Sequence, residues 1–381
     1  MPVAAPALPG LELRLVDSVA AFLALEAEWD GLFARCGRPH QLFQSHVFLR
    51  HWIRHYLAGD ERLAIVTAWR AGRLVMAWPL VRLRRFGFGV LRFMGGPVAQ
   101  YSDVLADDEP GLIAAGWRAV LASGADLVEI RKLRADAQLG QAAFPSAPVT
   151  SAREEALFAD LELRVAADGP SAVYSSRDRA NWRRRRSRLS EQFAVMFHRE
   201  EPGPTAARLA RRAIAMKRAW LADRGGFAPA LADPRFEAFF AGLAADRSGA
   251  SPLRLAAIML DGEPAGIEIA FDQMGVCFGH VLAVDPAFAR HGVGGVLIHH
   301  SLASAKARGN LRLDMLAPAD PYKRAHADGG TLVSDLTVPL SPLGRLLCMA
   351  GFPHLRPLAK KAAKSAPSLA ALRFARGRAQ S

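Results

Sequence analysis

Apolar positions along the chain fall into alternating helical and strand spacings, and one order of elements occurs twice. In the first half, Phe22, Leu25, Trp29, Leu32 and Phe33 recur at helical spacing behind Ser18, a good N-cap, and Gly37 closes the run after Arg35. Ser45 opens a second helix with Phe48, Leu49, Trp52, Ile53 and Tyr56 on one face. Arg62–Trp69 and Arg73–Val81, joined by Ala71-Gly72, read as a hairpin, and Leu91–Met94 reads as a strand before Gly95-Gly96-Pro97. A helix over 111–122, a strand over 126–131 and a short helix complete this half.

The second half repeats the plan. Helical spacing covers 177–193, 205–223 (Leu209, Ala213, Met216 and Trp220 on one face, Gly225 beyond) and 234–246. Leu253–Leu260 and Pro264–Phe271 form a hairpin around Asp261-Gly262. A strand over Val276–Val284 then leads to the turn His291-Gly292-Val293-Gly294-Gly295, a helix over Val296–Arg308 and a strand over Leu311–Leu316. The repetition predicts a duplicated α/β (α+β) architecture with domains over 1–160 and 161–340 and a tail over 341–381. The seam is expected in the polar, Pro-bearing stretch between 145 and 172.

Composition adds a preference for anions. The 381 residues are 51% hydrophobic and 22% charged, which is globular. A net charge of +13 favours nucleotides, nucleic acid, acidic polysaccharide or an anionic membrane surface, without choosing among them. Much of the excess sits after Leu336, where there is no Asp or Glu but eight cations: Arg345, Arg356, Lys360, Lys361, Lys364, Arg373, Arg376 and Arg378. With leucines interspersed, this tail either lies on an anionic membrane or partner, or is a solvated extension.

The N-terminus lacks a basic n-region and a long apolar core, and no run reaches the roughly 18 to 20 apolar residues of a membrane span. A cytoplasmic protein is expected, peripheral at the inner membrane face if the tail binds there. Cys36, Cys277 and Cys348 are too few and too scattered for a disulfide framework or a zinc site. His299 and His300 lack metal-ligand spacing, so no metal is expected.

The chemistry concentrates between Val284 and Asp328. Gly292, Gly294 and Gly295 open a helix, whose N-terminal N–H groups and dipole suit phosphate oxygens. No GK[ST] follows, and the G-x-G-G spacing is not a dinucleotide fingerprint. Arg177–Arg188 carries seven arginines, yet Trp182, Leu189 and Phe193 form an apolar stripe, so this segment reads as a helix. Arg185 and Arg186, three and four places after Trp182, flank that stripe. They are the arginines best placed to bind phosphate or carboxylate in an inter-domain groove. Helix-turn-helix, zinc and RNP patterns are absent, so nothing specific supports nucleic acid.

Strand, glycine turn, helix, strand ending in Leu313-Asp314, and then Asp320-Pro321-Tyr322-Lys323 together resemble the acyl-CoA-binding region of GNAT-type acetyltransferases. More narrowly they resemble the CelD-type acyltransferases linked to cellulose and exopolysaccharide biosynthesis. Phe43-Gln44-Ser45, Pro79-Leu80 and Gly95-Gly96-Pro97 leading to Tyr101-Ser102-Asp103 extend the likeness over residues 40 to 345. The chain departs from the pattern at Ala289, where Arg or Gln is usual, with Arg290 one place later. It departs again at Ala325-His326, where an aromatic residue often follows Tyr-Lys.

The resemblance implies tandem GNAT-like domains, each a mixed, mostly antiparallel sheet flanked by helices, the first degenerate and walling the acceptor groove. It implies acetyl-CoA (acyl-CoA) as co-substrate, held by Val284, Arg290, His291, Gly292, Val293, Gly294, Gly295 and Lys323. It also implies acetyl transfer to an amine or hydroxyl of a small molecule or saccharide, with Tyr101 and Asp103 on the acceptor side, where helix spacing also puts Arg185 and Arg186. Tyr322 either protonates the leaving thiolate or packs under its loop. Asp314 either orients the acceptor as base or caps the next turn. His280 is either a general base or a packed histidine, and Glu268 faces either solvent or a cleft. Two other readings stand beside this one: a non-catalytic accessory protein of polysaccharide synthesis, and an aminoacyl-tRNA-dependent transferase.

Overall fold

The computed structural model describes residues 8–224, 226, 228–355 and 358, so most of the basic tail lies outside the described residues. The chain divides into two compact units, one made of residues 1–155 and 331–358, the other built on 156–330. The sequence reading differs here, since it keeps everything through 340 in the second domain. Val333–Pro339 pairs antiparallel with Leu127–Arg134, and that ladder returns the chain to the first unit.

In the first unit, Leu11–Val16, Ile65–Arg70, Arg73–Trp78 and Leu105–Ala106 form an antiparallel sheet. The hairpin at Ala71-Gly72 forms as expected, with φ of 48° and 75° at the two turn residues, the left-handed pair that matches strand twist. Its second strand stops at Trp78, however. Pro79 has no N–H for the ladder, and Leu80–Arg85 beyond it pairs with Phe88–Phe93 instead. The expected 18–35 helix also breaks, into Val19–Leu23 capped by Ser18 and Glu26–Cys36. Phe88–Phe93 lies parallel to Leu127–Arg134, and the Leu112–Ala122 helix makes the crossover a parallel pair requires.

The second unit contains the same crossover. Its main elements, numbered within this unit, are α1 (Ser176–Gln192), β1 (Val195–Glu200), α2 (Pro204–Asp223), α3 (Pro234–Ala245), β2 (Leu253–Leu260), β3 (Glu263–Gln273), β4 (Val276–Val284), α4 (Val293–Ala307) and β5 (Arg312–Asp314). Strands β1 to β4 are successive antiparallel neighbours, and β4 pairs in parallel with β5. Beyond β5 lies Phe158–Asp160, the end of the strand Val149–Asp160. The sequence reading takes that stretch for a seam. In the structure it is a twelve-residue strand, and the division between units falls within it.

Helix α4 covers one sheet face, burying Val293, Val296 and Leu297 with Ile258, Leu260 and Ala265, and Leu302 and Ala305 with Cys277 and Leu313. Each buried aliphatic side chain contributes about 1.5–3 kcal/mol. The opposite face is covered by aromatics of α3, with Phe240 6.3 Å from Phe271 of β3. Strand β3 is therefore buried on both sides.

Candidate functional site: a helix N-terminus beside two diverging strands

The glycine turn begins with Asp285, whose side chain accepts a hydrogen bond from the Ala287 N–H at 2.9 Å. A 3-10 turn over Pro286–His291 ends at Gly292, where φ is 79°, and α4 starts at Val293. Glycine takes that left-handed conformation without the strain another residue would bear. Arg185 of α1 lies across this turn. A β-carbon on Gly292 would meet Arg185 Cδ at 3.5 Å, and one on Gly295 would meet Arg185 Nη1 at 2.5 Å. Arg185 has no carboxylate partner among the described residues. A guanidinium and the positive end of a helix thus converge with no carboxylate at ion-pair distance among the described residues, an arrangement that favours an anion.

The remaining turn residues are occupied structurally. His291 Nδ1 and Gln192 Oε1 are 2.9 Å apart, Arg290 Nε donates to His291 Nε2 at 3.2 Å, and the His291 ring meets Phe193 edge-on at 5.0 Å. Val293 is fully buried, and Val284 Cγ2 would lie 3.6 Å from a β-carbon on Gly294. His291 therefore anchors the turn to the end of α1.

Strands β4 and β5 pair only over Val276–Phe278 and Arg312–Asp314. Strand β4 continues to Val284 paired with β3 and no longer with β5, so β4 and β5 diverge at the C-terminal ends of parallel strands, the place where open α/β sheets bind ligands. At the divergence β4 carries a bulge. Ile269 pairs with Val281 and Ala270 with Gly279, leaving His280 as the extra residue. Its imidazole packs among Phe236, Phe240 and Phe271 at 6.4, 4.8 and 5.7 Å.

Asp314 closes β5 almost fully buried, and its Oδ1 accepts from the Leu316 N–H at 2.8 Å, the turn-capping alternative. Lys323 is buried as well, donating from Nζ to the Leu316 and Pro318 carbonyls at 2.9 and 2.8 Å. Its charge serves the loop that follows β5, away from the phosphate role expected of it. Tyr322 next to it is 48% exposed. Burial of its phenol, and then the Asp320 charge, push its pKa up to about 12.

The sequence model for the acetyltransferase (GNAT) domain matches residues 176–324, the stretch from α1 to the loop after β5. That match covers most of the second unit, and the stretch it covers is called the GNAT domain below.

Fold comparison extends the likeness beyond this GNAT domain. FemX superposes with a TM-score of 0.57 at 10% identity, over 88% of this chain and 99% of its own. The C-terminal domain of a protein described as a lysylphosphatidylglycerol synthetase of Agrobacterium fabrum gives 0.52 at 11%, over 87% and 96%. L-PGS of Bacillus licheniformis gives 0.50 at 13%, over 85% and 96%. At these identities the likeness speaks for the fold alone. No match was found among curated protein sequences. Residues 176–324 thus match an acetyltransferase (GNAT) domain, and the fold over most of the chain is shared with FemX.

Within the GNAT domain, one expected catalytic acid is displaced from the cleft. Glu268 faces neither solvent nor the divergence of β4 and β5. It is 2% exposed and lies near Ser301 and Arg308 at the α4 side of the sheet. Its Oε1 has no hydrogen-bond partner, and burial raises its pKa to about 7. The nearby Arg308 is engaged by Asp272 at 2.6 and 3.1 Å.

Two acceptor candidates in the first unit are also corrected. Tyr101 and Asp103 are core residues. Asp103 accepts from Gln41 Nε2, Val104 N, Gln138 N and Leu139 N at 2.8 to 3.1 Å, and meets His40 Nε2 at 3.1 Å. A carboxylate with both oxygens so engaged is a scaffold hub.

Sequence reasoning missed Lys217 of α2. Its Nζ donates to the Leu282 carbonyl at 3.1 Å, at a point where β4 has left β5, and lies 4.7 Å from the Trp220 ring. Burial lowers its pKa, partly opposed by Asp320, which places these two near one another. The signal was present in the sequence: Lys217 follows Ala213 by four and precedes Trp220 by three, which puts a lysine inside an apolar helical stripe. Among the described residues, no three His, Cys, Asp or Glu side chains gather as a metal cage.

Proposed function

We propose that the GNAT domain transfers an acetyl group from acetyl-CoA to an amine or hydroxyl of a saccharide acceptor. The carrying observation is Arg185 over Gly292 and Gly295 at the start of α4, a cationic turn with no carboxylate partner among the described residues. The pyrophosphate satisfies both the guanidinium and the helix N–H groups. The pantetheine follows the unpaired edge of β4, and the thioester lies between the diverging strands. The saccharide rests on the narrower CelD-type resemblance carried by Asp314 and Asp320–Lys323. Arg185 and Arg186 thereby move from the acceptor to the donor side of the reading.

In this reading the acceptor heteroatom attacks the thioester carbon, the C–S bond breaks, and the acceptor's proton passes to a base. Lys217 supplies that base, because its lowered pKa makes the neutral amine more accessible. Tyr322, with a phenol near 12, stays protonated at neutral pH and donates a hydrogen bond to the departing sulfur. Full proton transfer to a thiolate of pKa about 8.5 would run uphill, so the phenol stabilises the sulfur without becoming its proton source.

A second reading is aminoacyl transfer from a charged tRNA. It is favoured by the exposed arginines of α1, namely Arg177, Arg183, Arg184 and Arg188, and is compatible with the fold shared with FemX. The test is donor consumption against an acceptor panel of amino sugars and oligosaccharides. Release of CoA thiol that depends on the acceptor supports the first reading. Consumption of aminoacyl-tRNA with no thiol release from acetyl-CoA supports the second.

A further inference from the structure

The first unit carries an apolar surface that its own fold does not use. The hairpin of Leu80–Arg85 and Phe88–Phe93 turns at Phe86-Gly87, with φ of 50° and 88°. A turn of this kind favours Asn, Asp or Gly at its first position. A phenylalanine stands there instead, in a left-handed conformation that a bulky residue adopts at a cost. Its side chain is 92% exposed, with the Phe88 ring 6.4 Å away.

Beside the hairpin lies the helix Pro342–Met349, and one carboxylate holds the two together. Asp126 Oδ1 accepts from the hydroxyl of Ser341, the helix N-cap, at 2.6 Å, and Oδ2 accepts from the Gly89 N–H at 2.9 Å. A β-carbon on Gly344 would overlap the Asp126 carbonyl oxygen, so the helix lies directly against the end of the sheet. Its inner side packs Leu347 and Cys348 on Leu83, Val90 and Leu127, and Phe352 meets Phe88 edge-on at 4.9 Å. The outer side is apolar as well. Leu343, Leu346 and Met349, three residues apart, are 47%, 61% and 85% exposed. A surface helix ordinarily turns polar residues outward.

Charge identifies what covers this surface. Arg84, two residues before Phe86, and Arg345, four before Met349, are exposed and have no carboxylate partner among the described residues. The sequence after Asp335 has eight cations and no Asp or Glu. A second copy docked here would bring like charges together, which opposes it. An anionic bilayer suits both parts of the surface. Its headgroups attract the cations, and its acyl boundary takes up the exposed ring and the aliphatic stripe.

We propose that Phe86 and the outer side of Pro342–Met349 form a docking surface for an anionic lipid bilayer. The cations of residues 360–378 add attraction by charge, and the hairpin tip and helix supply the apolar insertion. This surface is independent of the donor and acceptor readings.

Co-sedimentation of the full chain with vesicles tests it, using phosphatidylglycerol mixed with phosphatidylcholine, or phosphatidylcholine alone. Phe86→Asn suits the left-handed turn and Leu346→Gln keeps a good helix former, and thermal unfolding checks that each variant is folded. Each variant is expected to bind the anionic vesicles about tenfold more weakly than wild type. Wild type is expected to bind phosphatidylcholine vesicles at least about tenfold more weakly than anionic ones. Full binding to anionic vesicles by either folded variant overturns the proposal, because the basic tail would then suffice. Failure of wild type to bind anionic vesicles, or equal binding to both kinds, overturns it as well. A dimer in sedimentation equilibrium that Phe86→Asn dissociates, with no vesicle binding, would assign the surface to a second copy instead.

Discussion

Arg185 lies so close to Gly295 that a β-carbon on the glycine would come within 2.5 Å of its Nη1. The atoms nearest a β-carbon at Gly292 and at Gly295 both belong to Arg185, which ties this residue of α1 to the turn. Gly295→Val should displace Arg185 and raise KM for the acyl donor, as should Arg185→Gln. Each is expected to cost about tenfold to a hundredfold, the worth of one charge-assisted hydrogen bond. The double variant should cost little more than either single one, because both remove the same interaction. Additive losses would show that glycine and arginine act separately.

Glu268 makes a prediction about stability alone. Its folded pKa, about 7, is above its ordinary 4.5, so the folded state holds the proton more tightly than the unfolded chain does. The stability that Glu268 contributes is therefore fullest below about pH 4.5 and is lost as pH rises toward 7. The loss is on the order of 3 kcal/mol. Glu268→Gln should remove that dependence and be more stable than wild type at pH 8, as read by urea denaturation at pH 5 and 8. Equal wild-type and variant midpoints at pH 8 would contradict the assignment.

His299, His300 and His326 carry the opposite sign. Burial lowers each to about 4, from an ordinary 6.5. The unfolded state binds more protons between those values, so these groups destabilise the fold as pH falls from 6.5 toward 4. In the Glu268→Gln background, where the opposing term is gone, the urea midpoint should fall over that window. A flat profile would show that these imidazoles titrate normally.

Lys217 should behave as a functional residue. Lys217→Ala is expected to lower kcat by about a hundredfold or more, the usual contribution of a general base. With wild type, kcat should rise to a plateau at a pH below the ordinary lysine value of about 10.4. A variant that changes stability but leaves kcat and the pH profile intact would reduce Lys217 to a packing residue.

Asp103 should be structural. Asp103→Ala strands several buried donors and is expected to cost on the order of 3 kcal/mol or more of stability. Acetyl-CoA affinity of the folded fraction should not change. A selective loss of acceptor turnover at unaltered stability would restore Asp103 to the site.

Much of the fold was legible because its signals are local. Strands β2 and β4 have the limits that their apolar runs and the Asp261-Gly262 turn indicate, and α4 starts within the glycine turn. Spacing from Trp182 sets Arg185 and Arg186 apart from Arg183 and Arg184, and does not choose between the two. The rest was hidden by long-range relations. Glu268 alternates with Ile267 and Ile269, which places it opposite them, but α4 covers that opposite face, so opposite does not mean exposed. Asp103 reads like a motif residue until Gln41 and Gln138, 62 and 35 residues away, are seen to converge on it. Val149–Asp160 reads as a linker because its polar and charged positions outnumber its apolar ones until Leu157.

The central claim is that the cationic turn at Gly292–Gly295 binds the pyrophosphate of an acyl-CoA. Calorimetric titration of the protein with acetyl-CoA at moderate salt tests it most directly. The account predicts stoichiometric binding, one donor per chain, that weakens at least about tenfold in Arg185→Gln. No detectable heat at millimolar acetyl-CoA, or equal affinity in the two proteins, would contradict it.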